Sequence, residues 1–245
     1  GEVVKAAKDH DYILLCLGEN SYTEKPGDLN DLNLHKLQLK LANELSKTGK
    51  PIILVLNIGR PRLISEIEPF MSAILNIYLP GNFGGDALAD IVSGKINPSG
   101  KLPYTYPAFP NSLSTYYYKP SEVQNNSQGA YNYVGKLNNL YEFGYGLSYT
   151  KYEYKDFVLE NDSLAINDTI KVSVDVYNKG AMSGFETVQL YTTDVYASIT
   201  PDNKRLRAFE KTFIESGSFK KIKFKIPVKD LSFFNISNES TLENG

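Results

Sequence analysis

The sequence predicts an α/β domain built on a mainly parallel sheet, followed by an all-β sandwich domain. In the first half, short apolar runs alternate with amphipathic stretches, which is typical of strands alternating with helices over a parallel sheet. From about Thr150 onward the pattern changes to runs in which apolar and polar residues alternate, as in residues 170–176 and 219–226. Such alternation with short turns indicates antiparallel strands, most simply a β-sandwich.

Each element of the α/β part has its own signal. Residues 2–9 have the pattern of the end of a helix, and the apolar run 11–17 predicts the first strand. Leucines at helical spacing predict a helix over 34–48 that Gly49 stops. Further strands are expected at 51–56 and 73–79, with a helix at 84–93. The first two strands are apolar throughout, which is typical of strands covered on both faces, so we expect Cys16 to lie in the strand core.

Residues 95–150 break this rhythm, because prolines fall there among Gly, Asn, Ser and many Tyr. So long an irregular stretch indicates a functional loop or a connector. We therefore expect a partial α/β domain over 1–107, an irregular connector over 108–150 and a β-sandwich over 151–245. The chain opens in mid-helix and closes on a turn-like Glu-Asn-Gly. We interpret it as a fragment whose sandwich is cut short at its end.

Composition narrows the classes of function. The 26 Lys and Arg residues against 28 Asp and Glu give a formal net charge of -2. This charge provides no basic field for a phosphate backbone, so no nucleic acid partner is expected. No apolar run approaches the roughly 20 residues of a membrane helix, so no membrane is expected as a partner either. The two histidines and one cysteine form no metal-ligand pattern, so we expect no metal site.

The loop after the first strand is the first candidate site, since ligands of open parallel sheets gather at the carboxyl ends of the strands. Residues 18–28 hold three carboxylates, a Tyr and a Lys. A carboxyl group against apolar or like-charged neighbours can keep its proton near neutrality and act as a general acid, while a second carboxylate stays ionised. The residue types alone leave open the alternative that this acidic loop is simply solvated.

Several segments, in the right order, resemble the second and third domains of family 3 glycoside hydrolases. They are Gly18-Glu19 with Tyr22-Thr23-Glu24 and Gly27-Asp28, then Asn57-Ile58-Gly59-Arg60-Pro61, then residues 80–90 with 97–103, and finally residues 141–150. The matches cover nearly the whole chain. The resemblance implies an αβα sandwich, partial here, followed by a fibronectin type III-like β-sandwich.

The resemblance also implies a retaining, β-glucosidase-like glycosidase that removes terminal β-linked sugars from oligosaccharides or aryl glycosides without metal or organic cofactor. Its nucleophile would be an Asp on an amino-terminal (β/α)8 barrel that this sequence lacks. The implied acid/base is Glu19, with Glu24 as the second candidate. Tyr22 is expected to contact substrate, and Asp28 and Arg60 are expected to orient the loop.

Four further expectations accompany this resemblance. The sugar could also be that of a β-xylosidase or an arabinofuranosidase, since the barrel builds most of the sugar pocket in this family. A non-catalytic carbohydrate-binding or scaffold protein of the same architecture is the alternative of a different class. The family's usual setting is periplasmic or extracellular, and the fragment alone is expected to be inactive.

Overall fold

The computed structural model of the chain describes residues 1–22, 25–112, 114–123, 125–126, 133–134 and 139–244. These residues form two units. The first unit comprises Gly1–Asp90, Tyr106–Leu113 and Asn138–Tyr141. The second unit comprises Ile91–Thr105, Ser114–Leu137 and Glu142–Gly245.

The regular elements follow the predicted order of alternating helices and strands, then strands alone. The α-helices are α1 (Glu2–Lys8), α2 (Lys36–Ser46) and α3 (Gly84–Val92). The strands are β1 (Ile13–Gly18), β2 (Ile52–Asn57), β3 (Ala73–Asn76), β4 (Tyr106–Pro107), β5 (Asn125–Asn126), β6 (Tyr133–Val134), β7 (Asn139–Tyr141), β8 (Tyr152–Leu159), β9 (Thr169–Asn178), β10 (Gly184–Thr192), β11 (Arg205–Ile214), β12 (Phe219–Pro227), β13 (Phe233–Phe234) and β14 (Ser240–Thr241). Four short 3-10 helices lie at Lys25–Gly27, Glu68–Phe70, Pro120–Val123 and Val228–Leu231 among the described residues.

The first unit is built on a parallel sheet with the strand order β1-β2-β3. Its central strand is apolar on both faces, and the side chains of Ile52, Leu54 and Leu56 are completely buried. Central strands of parallel sheets have this composition because helices or other elements cover both of their faces. The predicted α/β architecture with a mainly parallel sheet is therefore confirmed.

The prediction that the first strand is also covered on both faces, with Cys16 in the strand core, is wrong. Leu15 and Leu17 are buried, but Leu14 is 50% exposed and Cys16 is exposed. Leu14 and Cys16 alternate with the buried residues along β1, so they lie on the opposite face of the sheet. Within the described part of the chain, only one of its two faces is packed.

Three helix and strand boundaries have clear local causes. Helix α2 begins after His35, whose Nδ1 accepts a hydrogen bond from the N–H of Leu37 at 3.3 Å. The chain leaves α2 through Gly49, whose φ of +71° lies in the left-handed region that glycine tolerates. Strand β3 is shorter than the predicted 73–79, because Tyr78 has a φ of +53°, a conformation that no strand includes.

The long strands of the second unit form two antiparallel sheets, as predicted for a β-sandwich, and the two-residue strands pair as β5-β6 and β13-β14. One sheet has the strand order β12-β9-β8, and the other pairs β10 with β11. Buried side chains from both sheets form one apolar cluster: Val172, Val176, Val188, Ile214, Ile222 and Phe224. The lysines of β12 alternate with these core residues and are exposed along an edge strand, where charge discourages pairing with other chains.

Side chains tie the segment before β8 into the second unit. Asn97 is buried, and its Oδ1 accepts hydrogen bonds from the hydroxyl of Ser148 and the N–H of Tyr149, both at 2.9 Å. The backbone of Leu102 also pairs with residues 144 and 145, at 2.8 Å in each bond. Part of the irregular stretch is thus held by specific hydrogen bonds rather than by regular structure.

Replacing Asn178 with Ala is expected to destabilise the second unit by about 2 kcal/mol, because polar groups would be left buried without partners. The side chain of Asn178 is fully buried. It donates to the carbonyls of Met182 and Ile214 at 2.9 and 3.0 Å, and it accepts from the hydroxyl of Thr150 and the N–H of Gly180. The measurement is the urea midpoint of the variant against that of Asn161→Ala, a change at an exposed asparagine of the same unit, and equal midpoints would contradict the prediction.

Candidate functional site

The parallel register brings the loops after β1 and β2 to the same edge of the sheet. Gly18 is aligned with Asn57 at the carboxyl ends of these strands. A Cβ on Gly18 would overlap the backbone carbonyl of Asn57, so the strands can approach this closely only with glycine at that position. The N–H of Glu19 then donates to the same carbonyl at 3.1 Å, which starts the loop in contact with its neighbour.

Gln38 of helix α2 fixes the point where β1 becomes the loop. Its amide oxygen accepts from the N–H of Gly18 at 3.0 Å, and its amide nitrogen donates to the carbonyl of Gly18 at 2.9 Å. The side chain thus satisfies both backbone groups of one residue, as a neighbouring strand would do. Sequence reasoning did not identify Gln38, because a Gln on a helix carries no signal of what its side chain reaches.

Glu19 lies at the centre of a buried ion-pair cluster. Its side chain is only 5% exposed. Oε1 accepts hydrogen bonds from Nε and Nη2 of Arg60 at 3.2 and 2.9 Å, and from Nε of Arg62 at 2.9 Å. Oε2 is buried and has no hydrogen-bond partner among the residues that the structure describes. The cluster joins residues that are 41 and 43 positions apart in the sequence.

Arg60 connects this cluster to the loop after β1. Its guanidinium carbon lies 3.8 Å from the centroid of the Tyr22 ring, which is a cation-π contact. Its Nη1 also donates to the carbonyl of Gly27. The sequence-based expectation that Arg60 orients the loop is compatible with these contacts.

Arg62 is a member of the cluster that sequence reasoning missed. Besides Glu19, its guanidinium donates from Nη1 to the carbonyls of Asp31 and Asn33, at 2.8 and 3.1 Å. The Tyr106 hydroxyl donates to the backbone carbonyl of Arg62 at 2.5 Å. The available signal was the Arg-Pro-Arg spacing after a buried strand, which places two guanidinium groups on one loop.

The structure shows fewer contacts for the other predicted site residues. Tyr22 is half-buried, and Asp28 is exposed, with its backbone N–H donating to the carbonyl of Lys25 at 3.1 Å. Glu24, the second acid/base candidate, lies outside the residues that the structure describes. The structure therefore brings Glu19, Tyr22 and Arg60 together and leaves the roles of Glu24 and Asp28 as predictions.

Replacing Gly59 with Ala is expected to destabilise this edge of the sheet by about 1–3 kcal/mol, the usual cost of overpacking. A Cβ at Gly59 would overlap the Tyr22 hydroxyl and lie 3.3 Å from Leu79 Cδ1. The matched control is Gly85→Ala, because a Cβ there meets nothing within 4 Å and alanine favours the helix. Thermal unfolding should show a lower midpoint for the first variant only, and an unchanged midpoint would show that Tyr22 moves away at no cost.

In the described residues, no three His, Cys, Asp or Glu side chains are grouped so that they could hold a metal ion. None of the described helices is both long enough and apolar enough to span a lipid bilayer.

Comparison with protein families gives two matches along the chain. Residues 1–149 match the model of the glycosyl hydrolase family 3 C-terminal domain. Residues 186–245 match the model of the fibronectin type III-like domain. The first match covers the parallel sheet and the ion-pair cluster, and the second covers the later strands of the sandwich.

Similar proteins include two glycosidases. A β-xylosidase of Formosa agariphila is 36% identical over 245 residues, which is 100% of this chain and 34% of that protein. A periplasmic β-glucosidase of Salmonella typhimurium is 33% identical over 251 residues, covering 100% of this chain and 33% of that protein. Among solved structures, a β-glucosidase from Listeria innocua in complex with glucose superposes with a TM-score of 0.91 at 31% identity, over 100% of this chain and 35% of that one. The chain thus spans about a third of the length of these relatives.

Proposed function

Because the chain belongs to glycosyl hydrolase family 3, we propose that it is the carboxyl-terminal part of a retaining β-glycosidase that removes terminal β-linked sugars from oligosaccharides or aryl glycosides. Relatives of similar identity are named β-glucosidase and β-xylosidase, so the sugar is proposed to be glucose or xylose. The observation that carries the proposal is an acidic loop at the carboxyl edge of the parallel sheet. A periplasmic or extracellular setting is proposed with it, as in the Salmonella relative.

The proposed chemistry divides between this chain and a barrel domain of the same protein. An Asp of the barrel would attack the anomeric carbon and break the bond to the leaving oxygen, forming a glycosyl-enzyme, while an acid of the loop protonates that oxygen. The same loop carboxylate would then take a proton from the water that releases the sugar. This division requires the two carboxyl groups roughly 5–5.5 Å apart. The chain alone would lack the nucleophile, which supports the expectation that it is inactive by itself.

The surroundings of Glu19 favour Glu24 as the loop acid/base. A general acid must present a protonated oxygen to the leaving group, but Oε1 of Glu19 already accepts three hydrogen bonds from guanidinium groups. Its other oxygen is buried in the described chain, where a substrate has no access to it. Glu24 belongs to the same loop and to the matching motif, so we propose Glu24 as acid/base and Glu19 as the anion that fixes the loop.

The test is hydrolysis of aryl β-glucosides and aryl β-xylosides by the whole protein, with this chain alone as the negative control. We expect activity on at least one of these substrates, with the β-configuration retained in the first-formed sugar. Inactivity of the whole protein on every sugar tested would favour a carbohydrate-binding or scaffold protein of this architecture. An inverted product would contradict the proposed mechanism.

A further inference from the structure

We propose that Arg60 is a positioning residue that holds the acid/base loop by clamping the Tyr22 ring in a slot, an inference that rests on the proposed function. Arg60 makes no proposed contact with substrate. It would act through the loop, by fixing where the loop carboxylate meets the leaving group.

The slot around Tyr22 is formed by Arg60 and two glycines. The guanidinium covers the ring face at 3.8 Å from its centroid. A Cβ on Gly27 would lie 2.9 Å from the Cδ2 atom of the ring, and a Cβ on Gly59 would overlap the hydroxyl. Any side chain at either glycine would therefore fill the space that the ring occupies. The ring is held by contacts from three sides rather than resting on an open surface.

The same guanidinium holds the loop at two points. It stacks on Tyr22, and its Nη1 donates to the carbonyl of Gly27, which is buried. These two residues flank the short segment of the loop that contains Glu24. Ordering a backbone costs conformational entropy, and the contacts at Tyr22 and Gly27 order these two residues before substrate binds.

Glu19 keeps the guanidinium in this position. The carboxylate receives two N–H groups of Arg60 on Oε1, so the plane and direction of the guanidinium are defined. A lysine could keep the positive charge but not the planar group that stacks and donates in several directions at once. Arg60 thus combines three contacts that only an arginine can make together.

Weakening the contacts of Arg60 with Tyr22 and Gly27 should slow protonation of the leaving group more than nucleophilic attack. The reason is that these contacts are made only with the loop. Displacing a catalytic group by about 1 Å can reduce the rate by about 10²-fold. A sugar with a poor leaving group needs protonation by the acid, whereas a strongly activated aryl group leaves without it. The expected signature is therefore a loss that depends on the leaving group.

The experiment compares Arg60→Lys with the unaltered whole protein on a phenyl and a dinitrophenyl β-glycoside of the preferred sugar. We expect kcat/KM to fall by about 10- to 100-fold for the phenyl substrate and by less than about threefold for the dinitrophenyl substrate. Tyr22→Leu removes the clamped ring and should show the same pattern, so it replaces Arg60→Lys if that variant does not fold. The matched control is Arg205→Lys in the second unit, where the guanidinium lies 4.2 Å from the Tyr117 ring and pairs with Asp202. That variant should leave both rates unchanged.

An equal loss on the two substrates, or no loss on either, would overturn the positioning role even though the enzyme is active. If Tyr22 instead contacts the aglycone, Tyr22→Leu should raise KM for both substrates. That result would also overturn the positioning role. Inactivity of the unaltered protein on every β-glycoside would overturn the proposed function itself, and the positioning role with it. The failure of one is therefore distinguishable from the failure of the other.

Discussion

Glu24→Gln in the whole protein is expected to lower kcat/KM by roughly 10²- to 10⁴-fold on a phenyl β-glycoside, the usual contribution of general acid catalysis. Gln has nearly the shape of Glu but cannot give a proton to the leaving oxygen. A dinitrophenyl β-glycoside should lose far less, because its leaving group departs as a stable anion. The measurement is kcat/KM on both substrates, with the glycosyl-enzyme trapped by rapid quenching.

Reaction with azide distinguishes whether Glu24 or Glu19 is the acid/base. Azide is already an anion, so it attacks the glycosyl-enzyme without a general base, and it is not repelled by an uncharged Gln. We expect Glu24→Gln to form the β-glycosyl azide and Glu19→Gln to form none. If Glu19→Gln forms the azide product and Glu24→Gln does not, the assignment of the two carboxylates is reversed, and Glu19 is the acid/base that the family resemblance implied.

Glu19→Ala is expected to destabilise the first unit by about 3–5 kcal/mol, the typical cost of removing one partner from a buried ion pair. The change would leave Arg60 and Arg62 without their shared anion, while their side chains are only 24% and 16% exposed. The two positive charges would then repel each other within the same loop. Urea or thermal unfolding of the whole protein, followed by a probe in this domain, measures the loss.

The matched control for this prediction is Glu44→Ala. Glu44 also pairs with a basic residue, Lys47, but on the exposed surface of α2, where the two side chains are 45% and 67% exposed. Exposed pairs contribute little because water and salt screen them. The unfolding midpoint should therefore stay constant in the control. A Glu19 variant as stable as its parent would show that the loop rearranges to solvate both guanidinium groups.

Much of the fold was predictable because it depends on local patterns. The helical spacing of leucines gave α2, the continuous apolar runs gave β1 and β2, and the alternation after residue 150 gave the sandwich. Boundaries were less accurate where a single residue decides them. Tyr78 ends β3 through a positive φ that its residue type does not indicate.

The sequence predicted where the candidate site lies, but not which side chains pair with each other there. The rule that ligands gather at the carboxyl ends of parallel strands located the loop, and the ordered family motifs identified its carboxylates. The partners of those carboxylates were not predictable, since Arg62 and Gln38 reach the loop from other elements. The burial of Glu19 follows from those partners and not from its neighbours in the sequence.

By itself, then, the sequence determined the order of the two architectures, the membership of family 3 and the acidic loop at which the chemistry is expected. These three properties depend on periodicity and on short motifs, which involve residues close together in the sequence. Only the tertiary structure decided that Glu19 is a buried anion between two arginines and that Cys16 lies on an uncovered face of an edge strand. The physical reason is that burial and ion pairing arise where distant segments meet, and parallel strands meet only after a crossover has brought them together.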